Sequence, residues 1–371
     1  FGCENLAFSP EKISRQIDTV CRLMNLDKSL QSRKLSGGQK QRLITASTLA
    51  MGQKIVILDE PLANLDTAGA EMLMSTLKSL AKAGYCIVVI EHRLDVVLPF
   101  VDKVFHVGGK RVREIKDKES YLKEQSVEIS DSCAVFCGGQ PVFSLSDVAF
   151  SVKDRVILNG VAFDILKGSR TVLFGENGCG KTTLLRLISR LEKPTRGVIL
   201  QSISGKFGQK SKQSKKWYKK VGVVYQNPDY QLFMPTVEKE IKFGAKSDEY
   251  ADEIAEKFGI KHLYARHPQS LSEGQKRRVS IAAVVATKPE VLILDEPTVG
   301  QDYKGLCEMV EVLNRIHEET HNTMITVTHD KRCAAALCDR AVWIKDGKVR
   351  KTGGKELAEE FFKDPTGNAK N

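Results

Sequence analysis

An internal repeat at fixed spacing constrains the fold of this chain more than any other feature of its sequence. The segment LSGGQKQR at Leu35–Arg42 returns as LSEGQKRR at Leu271–Arg278, 236 residues later. The apolar run and acidic pair of Ile55–Pro61 return as Val291–Pro297 with the same offset, and later landmarks keep an offset of 237 residues. The chain therefore contains two homologous modules in tandem.

The two modules differ in completeness. Far more residues precede the LSEGQ of the second module than precede Leu35 in the first, and Phe1-Gly2 aligns with Phe243-Gly244. We expect the counterpart of Phe143–Lys242 to be missing by N-terminal truncation, which would leave an open sheet edge beside Ile55–Leu58. The predicted domains are 1–116, the C-terminal part of a first domain; 117–142, a polar linker; 143–362, a complete second domain; and 363–371, a tail.

Composition excludes several classes of protein. Hydrophobic residues make up 42% and charged residues 28% of the chain, which argues against a disordered or collagen-like protein. No apolar run approaches the roughly 18 residues of a membrane span.

The net charge is +11, and the lysine-rich run Lys206–Lys220 is either a solvated hairpin tip or a binding patch. Cys133 and Cys137 have the spacing of half a metal site, but no second half follows, so we interpret them as incidental thiols.

A glycine-rich phosphate-binding loop is predicted in the second module. The apolar segment Thr171–Phe174 reads as a short strand before the loop, and leucines at helical spacing follow it up to Pro194. Backbone N–H groups of such a loop converge on phosphates at a helix N-terminus. Lys181 is expected to reach the β- and γ-phosphates and Thr182 to bind Mg²⁺. The predicted ATP-binding residues of this loop are Gly175, Glu176, Asn177, Gly178, Cys179, Gly180, Lys181, Thr182 and Thr183.

An acidic pair follows a predicted buried strand of the same module. The continuous apolar run Val291–Leu294 is typical of a parallel strand and ends in Asp295 and Glu296. Carboxylates at this end of a parallel strand face the ligand crevice. We expect Asp295 to hold Mg²⁺, largely through water, and Glu296 to polarise an attacking water. Together with the glycine loop, this predicts a Mg-ATP site that transfers phosphoryl groups to water.

The combination of LSGGQ, the glycine loop and the apolar run ending in Asp-Glu resembles the ATP-binding cassette (ABC) ATPases over nearly the whole chain. The resemblance implies an α/β P-loop NTPase fold with a RecA-like core sheet, an antiparallel β subdomain and an α-helical signature subdomain, in two tandem copies of which the first is incomplete. By position, the functional residues of the second copy are Gln226 in the Q-loop, Ser272, Gly274 and Gln275 in the signature, Asp302 in the D-loop and the switch histidine His329. Those of the first copy are the signature Ser36, Gly37, Gly38 and Gln39, the catalytic Glu60, the D-loop Asp66 and the switch histidine His92. The resemblance also implies that Gln226 is a Mg²⁺ ligand.

In this family two cassettes pack head to tail, so each nucleotide lies between the P-loop of one and the signature of the other. The resemblance therefore implies a pseudo-dimer in which Lys181 faces Ser36.

Two positions depart from the family pattern. Glu273 interrupts the second signature and either weakens its site or points to solvent. Val152 stands where the family usually stacks an aromatic residue on adenine, so we expect loose base selectivity.

The stretch from Gln226 to Gly244 resembles the QNPD-x-QLF segment of energy-coupling factor (ECF) and cobalt-type importers, and Glu91–Asp95 resembles the switch region of their fused members. This resemblance implies an ATPase on the cytoplasmic face of the membrane. Its partners would be an integral membrane coupling protein and a small substrate-binding membrane protein, and its cargo a vitamin or a transition-metal ion. No nucleic acid is expected. Exposed apolar residues at Tyr230, Leu232, Phe233 and Met234 would suit a partner helix, although core packing is the alternative.

Three alternatives stay open. The chain could be the ATPase of another ABC transporter class. It could be a soluble tandem ABC protein that acts on ribosomes, although it lacks that group's Asn-His pair before the D-loop aspartate. It could also be a non-catalytic nucleotide-dependent clamp, against which Glu60 and Glu296 argue.

Overall fold

The computed structural model describes residues 2–29, 31–32, 35, 37–62, 65, 67–124, 139–153, 155–203 and 215–363. The chain divides into two compact units, unit 1 (residues 1–127) and unit 2 (residues 128–371). Each unit is described by itself. Among the described residues no helix is both long enough and apolar enough to cross a bilayer.

Unit 1 consists mainly of helices packed on a short parallel sheet. Its elements are α1 (Gly2–Asn5), α2 (Pro10–Leu23), α3 (Gly37–Ala50), β1 (Ile55–Asp59), α4 (Thr67–Lys82), β2 (Cys86–Ile90), α5 (Leu94–Val97), β3 (Val104–Gly108), β4 (Arg111–Ile115) and α6 (Lys118–Glu124). Strands β1 and β2 pair in parallel, and β3 and β4 form an antiparallel hairpin. Ser9 begins α2 as an N-cap, because its side chain accepts a hydrogen bond from the N–H of Lys12.

Only one face of the β1–β2 sheet is covered by the described part of unit 1. Val56 and Leu58 are buried in a core formed with the helices, whereas Ile55 and Ile57 are 65% and 67% exposed. Side chains alternate between the two faces of a strand, so this is the pattern of a sheet packed on one side. Ile90 of β2 is also exposed.

Unit 2 combines a six-stranded sheet with a three-stranded antiparallel sheet and several helices. Its strands are β5 (Pro141–Val152), β6 (Arg155–Leu166), β7 (Arg170–Phe174), β8 (Arg196–Gln201), β9 (Val221–Val224), β10 (Val291–Asp295), β11 (Thr323–Val327), β12 (Arg340–Lys345) and β13 (Lys348–Gly353). Its helices are α7 (Lys181–Ile188), α8 (Lys215–Tyr218), α9 (Val237–Lys242), α10 (Asp248–Lys257), α11 (Glu273–Ala286), α12 (Tyr303–Thr320), α13 (Lys331–Ala336) and α14 (Lys355–Lys363). The large sheet has the order β13-β12-β7-β11-β10-β9 and is parallel except for β13; the small sheet has the order β6-β5-β8.

Strand β10 is buried on both faces. Leu292 and Leu294 pack with the helices that include α11 and α12, whereas Val291 and Ile293 pack with residues of β5, β6 and α7. The α/β fold predicted for the second module is confirmed, including the buried strand at Val291–Leu294 and the strand before the glycine loop.

Two local expectations were wrong. The segment 117–142 is not a linker throughout, because α6 occupies Lys118–Glu124, where Tyr121 is buried, and β5 begins at Pro141. The helix after the glycine loop ends at Ile188, so Leu191 lies beyond it and is 43% exposed. Cys133, Cys137 and most of the run Lys206–Lys220 lie outside the described residues.

Candidate active site

The glycine loop of unit 2 connects the fully buried strand β7 to the N-terminus of α7. The loop needs glycine at two positions. A Cβ on Gly175 (φ +151°) would lie 2.1 Å from the carbonyl oxygen of Ile344, and a Cβ on Gly180 (φ +105°) would lie 2.6 Å from Leu158 Cδ2. The backbone can therefore make this tight turn only without side chains there, and the absence of side chains allows a phosphate to approach the loop closely.

Lys181 is buried beneath this loop rather than extended into solvent. Its Nζ donates to the carbonyl oxygens of Gly175 and Glu176 at 2.8 and 2.9 Å. The ammonium group is thus held at the centre of the loop, in reach of a phosphate placed on it. Other predicted binding residues surround it: buried Cys179 and exposed Glu176, Asn177 and Gly178 in the loop, and Thr182 and Thr183 in the first turn of α7.

The acidic pair lies at the carboxyl end of β10, beside the first turn of α7. Thr182 Oγ1 donates to Asp295 Oδ2 at 3.2 Å. Asp295 Oδ1 and Glu296 Oε1 are buried and accept no hydrogen bond from any described residue. A hydroxyl and a carboxylate are oxygen ligands of the kind that Mg²⁺ prefers, and buried oxygens without donors need a cation or water. Thr182 and Asp295 therefore fit a Mg²⁺ ion.

Glu296 has the most strongly perturbed carboxyl group of this site. Burial, together with the neighbouring Asp295 carboxylate, raises the pKa of Glu296 to about 8. Burial also raises the pKa of Asp295. The N–H of His329, which follows β11, donates to Glu296 Oε2 at 3.1 Å, and His329 Nε2 lies 3.4 Å from Oε1 without meeting hydrogen-bond geometry. The backbone of Glu296 is left-handed (φ +52°), a strained conformation for a non-glycine residue that is enriched at functional sites.

The first module carries a more open version of the same pair. Glu60 also has a left-handed backbone (φ +45°), and its Oε1 lies 3.5 Å from His92 Nε2. The side chains of Glu60 and His92 are 40% and 43% exposed, compared with 7% for Glu296. Of the first signature, Gly37 and Gly38 begin α3 and Gln39 follows in it. Ser36 and Asp66 lie outside the described residues.

The second signature begins α11. Ser272 caps the helix by accepting a hydrogen bond from the N–H of Gln275, whose side chain bonds back to the N–H of Ser272. The Glu273 side chain is 66% exposed and lies 3.7 Å from Lys276 Nζ, so it points to solvent. Asp302 caps α12 by accepting from the N–H of Gly305 at 2.7 Å.

Arg277, which the sequence analysis did not identify, lies in the signature helix α11 and connects it to Gln226. Gln226 is exposed just beyond β9, and its carbonyl oxygen accepts a hydrogen bond from Arg277 Nη2, while Nη1 donates to Tyr225 O at 2.7 Å. Arg277 is 3% exposed. The repeat offers no signal for it, because the matching position in the first module is Gln41.

Three aromatic side chains are exposed in the segment that follows Gln226. Tyr230 and Phe233 are 79% and 66% exposed, and Phe243 lies edge-on to Phe233. The loop itself is held firmly, because Glu240 Oε2 accepts from the N–H groups of Phe233 and Met234 at 2.9 and 2.7 Å. The expectation of exposure was wrong for Leu232, which belongs to the helical core. In the three-stranded sheet, Val152 is the last residue of β5, and its side chain is 49% exposed.

Comparison with known proteins agrees with this geometry. The family model described as ABC transporter matches residues 4–63 and 158–299. The "Putative HMP/thiamine import ATP-binding protein YkoD" of Bacillus subtilis is 32% identical over 391 residues, covering 93% of this chain and 71% of YkoD.

Solved structures show the same likeness. CbiO1 from Clostridium perfringens, described as part of the ABC transporter complex CbiONQ, is 32% identical with a TM-score of 0.53, covering 60% of this chain and 91% of CbiO1. A dimeric ATP-binding cassette, MJ0796, in a post-hydrolysis state bound to ADP and Pi, is 25% identical with a TM-score of 0.51, covering 57% of this chain and 98% of MJ0796. The chain therefore belongs to the ABC transporter family, as an ATP-binding protein of that family.

Proposed function

We propose that this chain hydrolyses Mg-ATP at a site built on Lys181, Asp295, Glu296 and His329, and that hydrolysis energises an ECF-type importer of a vitamin or a transition-metal ion. The site would be completed by the signature of the first cassette, Ser36 to Gln39, in a pseudo-dimer of the chain's own two cassettes. The chain would work at the cytoplasmic face of the membrane.

The chemistry follows from the contacts within unit 2. Lys181 and the loop N–H groups would bind the β- and γ-phosphates, and Thr182 and Asp295 would hold Mg²⁺, with Gln226 as a further ligand. The ion supplies charge neutralisation at the phosphate oxygens. In its carboxylate form Glu296 orients the attacking water and accepts its proton, and a pKa of about 8 lies close enough to neutral pH for a general base. His329, which lies beside Glu296, contacts the γ-phosphate.

The observation that carries the transport proposal is the exposed aromatic surface formed by Tyr230, Phe233 and Phe243. Exposed aromatic side chains on a firmly held loop suit the groove in which an apolar partner helix binds. The surface follows Gln226 directly, so a helix bound there would sense the nucleotide through the Q-loop. The descriptions of two similar proteins support this direction, because YkoD is described as a putative HMP/thiamine import ATP-binding protein and CbiO1 as part of the ABC transporter complex CbiONQ.

A pull-down from detergent-solubilised membranes tests this proposal. The full chain should recover a polytopic coupling protein and a small substrate-binding membrane protein, whose bound ligand names the cargo. The double variant Tyr230→Ser/Phe233→Ser should lose both. Tyr218→Ser, a matched change of another exposed aromatic residue, should keep them. Recovery of the wild-type chain in the soluble fraction with ribosomal proteins would refute the transport proposal.

A further inference from the structure

Glu91 joins two loops of unit 1 through its carboxylate. Its Oε1 accepts from the N–H of Leu62 at 2.7 Å, and its Oε2 accepts from the N–H groups of His92 and Arg93 at 3.0 and 3.4 Å. Leu62 is completely buried, so its N–H would lack an acceptor without Glu91. Glu91 therefore holds the loop that follows Glu60 against the loop that carries His92.

Arg93 makes a second connection between the same loops. Its Nη1 donates to the carbonyl oxygen of Leu65 at 2.8 Å and lies 3.5 Å from that of Leu62. The N–H of Leu65 donates to Leu62 O at 3.1 Å, so Leu62 and Leu65 belong to one turn. Leu65 directly precedes Asp66 in the sequence. Hydrogen bonds from a guanidinium or to a carboxylate are stronger than neutral ones, so the turn should move with the loop of His92.

Unit 2 connects the matching turn to a different element. Thr328 and Asp330 occupy the positions of Glu91 and Arg93, and Thr328 Oγ1 accepts from the N–H of Asp330 within their own loop. Gln301, at the position of Leu65, donates to the carbonyl oxygen of Gly274 at 2.8 Å. The turn before Asp302 is thus bonded to the signature helix α11.

Unit 2 holds its switch loop by other contacts. The N–H of His329 donates to Glu296 Oε2 at 3.1 Å, and the Arg332 guanidinium lies 5.1 Å from the centre of the ring of Tyr303, the residue after Asp302. The charged hydrogen bonds of Glu91 and Arg93 to the turn of Leu62 and Leu65 therefore depend on side chains that the matching positions of unit 2 do not carry.

We propose that Glu91 and Arg93 are positioning residues that couple the turn before Asp66 to the switch loop of His92, and that the second cassette instead couples its turn to the signature helix through Gln301. This inference rests on the proposed function, in which the first cassette completes the nucleotide site of Lys181. Nucleotide binding there would then move the loop of His92 through Glu91 and Arg93.

Hydrogen–deuterium exchange of the nucleotide-free full chain tests the connection itself. Glu91→Thr, which installs the residue of the second cassette, should speed exchange in the peptide 61–66 about tenfold, as expected when a buried N–H loses its acceptor. Glu91→Gln should partly restore protection, because its amide oxygen can still accept from Leu62. Arg111→Ala, at an exposed arginine of β4, should change nothing in this peptide. Unaltered exchange at 61–66 in Glu91→Thr would overturn the proposal.

A non-hydrolysable ATP analogue tests the coupling. In the wild-type chain it should slow exchange in both peptides, 61–66 and 90–94; in Glu91→Thr/Arg93→Leu the response at 90–94 should be lost while that at 61–66 remains. Equal responses at 90–94 in wild type and variant would overturn the coupling. If the wild-type chain bound the analogue at Lys181 without any response in unit 1, the composite site would fail, and with it the coupling, while the nucleotide-free exchange would still show whether Glu91 bonds Leu62.

Discussion

Strands β1 and β10 have nearly the same sequence, IVILD and VLILD, and opposite surroundings. In β10 every residue is buried, because helices cover one face of the sheet and the layer of β5, β6 and α7 covers the other. In β1 only Val56 and Leu58 are buried, and Ile55 and Ile57 are exposed. The apolar pattern is therefore sufficient to form a strand, but the neighbouring layers decide whether its side chains are protected from water.

The same difference extends to the carboxylates that follow the two strands. Glu296 is buried and its pKa is raised to about 8, whereas the Glu60 side chain is 40% exposed. Both have the same strained backbone conformation, so the local geometry of the site is present in each unit. What distinguishes them in the described residues is burial, which desolvates Glu296 and leaves the side chain of Glu60 partly in contact with water.

The largest expected effect is on turnover. Glu296→Gln keeps the size of the side chain but removes the proton acceptor, so kcat for ATP should fall about 10²- to 10⁴-fold with ATP binding intact. Glu318→Gln, at an exposed position of α12, is the matched control and should keep wild-type turnover. Steady-state phosphate release measures both, and near-wild-type hydrolysis by Glu296→Gln would refute its role.

The next effect contrasts the two strands directly. Ile293→Ala removes a fully buried side chain and should lower the free energy of unfolding of unit 2 by about 2–5 kcal/mol. Ile57→Ala, at the equivalent position of β1, should cost unit 1 only about 0.5 kcal/mol, because its side chain is 67% exposed. Urea unfolding followed by hydrogen exchange of peptides from each unit resolves the two values. Equal losses would show that the exposed face of β1 is covered in solution.

A smaller effect is expected on nucleotide affinity. Lys181→Ala removes a buried ammonium group and should weaken ATP binding about 10- to 100-fold, the value of one or two charged hydrogen bonds. Lys304→Ala, at an 85% exposed lysine of α12, should leave the Kd unchanged. Titration with a fluorescent ATP analogue measures both constants.

A further effect is expected on stability as a function of pH. The folded protein keeps a proton on Glu296 up to about pH 8, whereas the unfolded chain releases it near pH 4.5, so folding binds a proton between these values. Stability of the nucleotide-free protein should therefore fall as pH rises from about 5 to about 8 and level off above. Compared with Glu296→Gln, which lacks this proton, we expect a difference on the order of 10 °C in the change of Tm across that range. Parallel pH profiles for the two proteins would contradict the raised pKa.

Local motifs made much of this site predictable. The glycine loop and the acidic pair are each a short contiguous motif, and the β-strands before them follow from short apolar runs. Their proximity in space then follows from the topology of a parallel sheet. The contacts of Arg277 with the Q-loop and of Glu91 with Leu62 could not be predicted in this way, because each joins residues tens of positions apart. The helix α6 was predictable in principle, because it matches α14 at the repeat offset of 237 residues.

The composite site is the central claim, and a matched pair of serine variants tests it most directly. Ser36→Ala changes the first signature and Ser272→Ala the second, so each removes one serine hydroxyl from the same sequence motif. Single-turnover hydrolysis at the Lys181 site should be at least about tenfold slower in Ser36→Ala than in Ser272→Ala, the size of one lost transition-state hydrogen bond. Equal rates, or a slower rate in Ser272→Ala, would contradict a site shared between the second P-loop and the first signature.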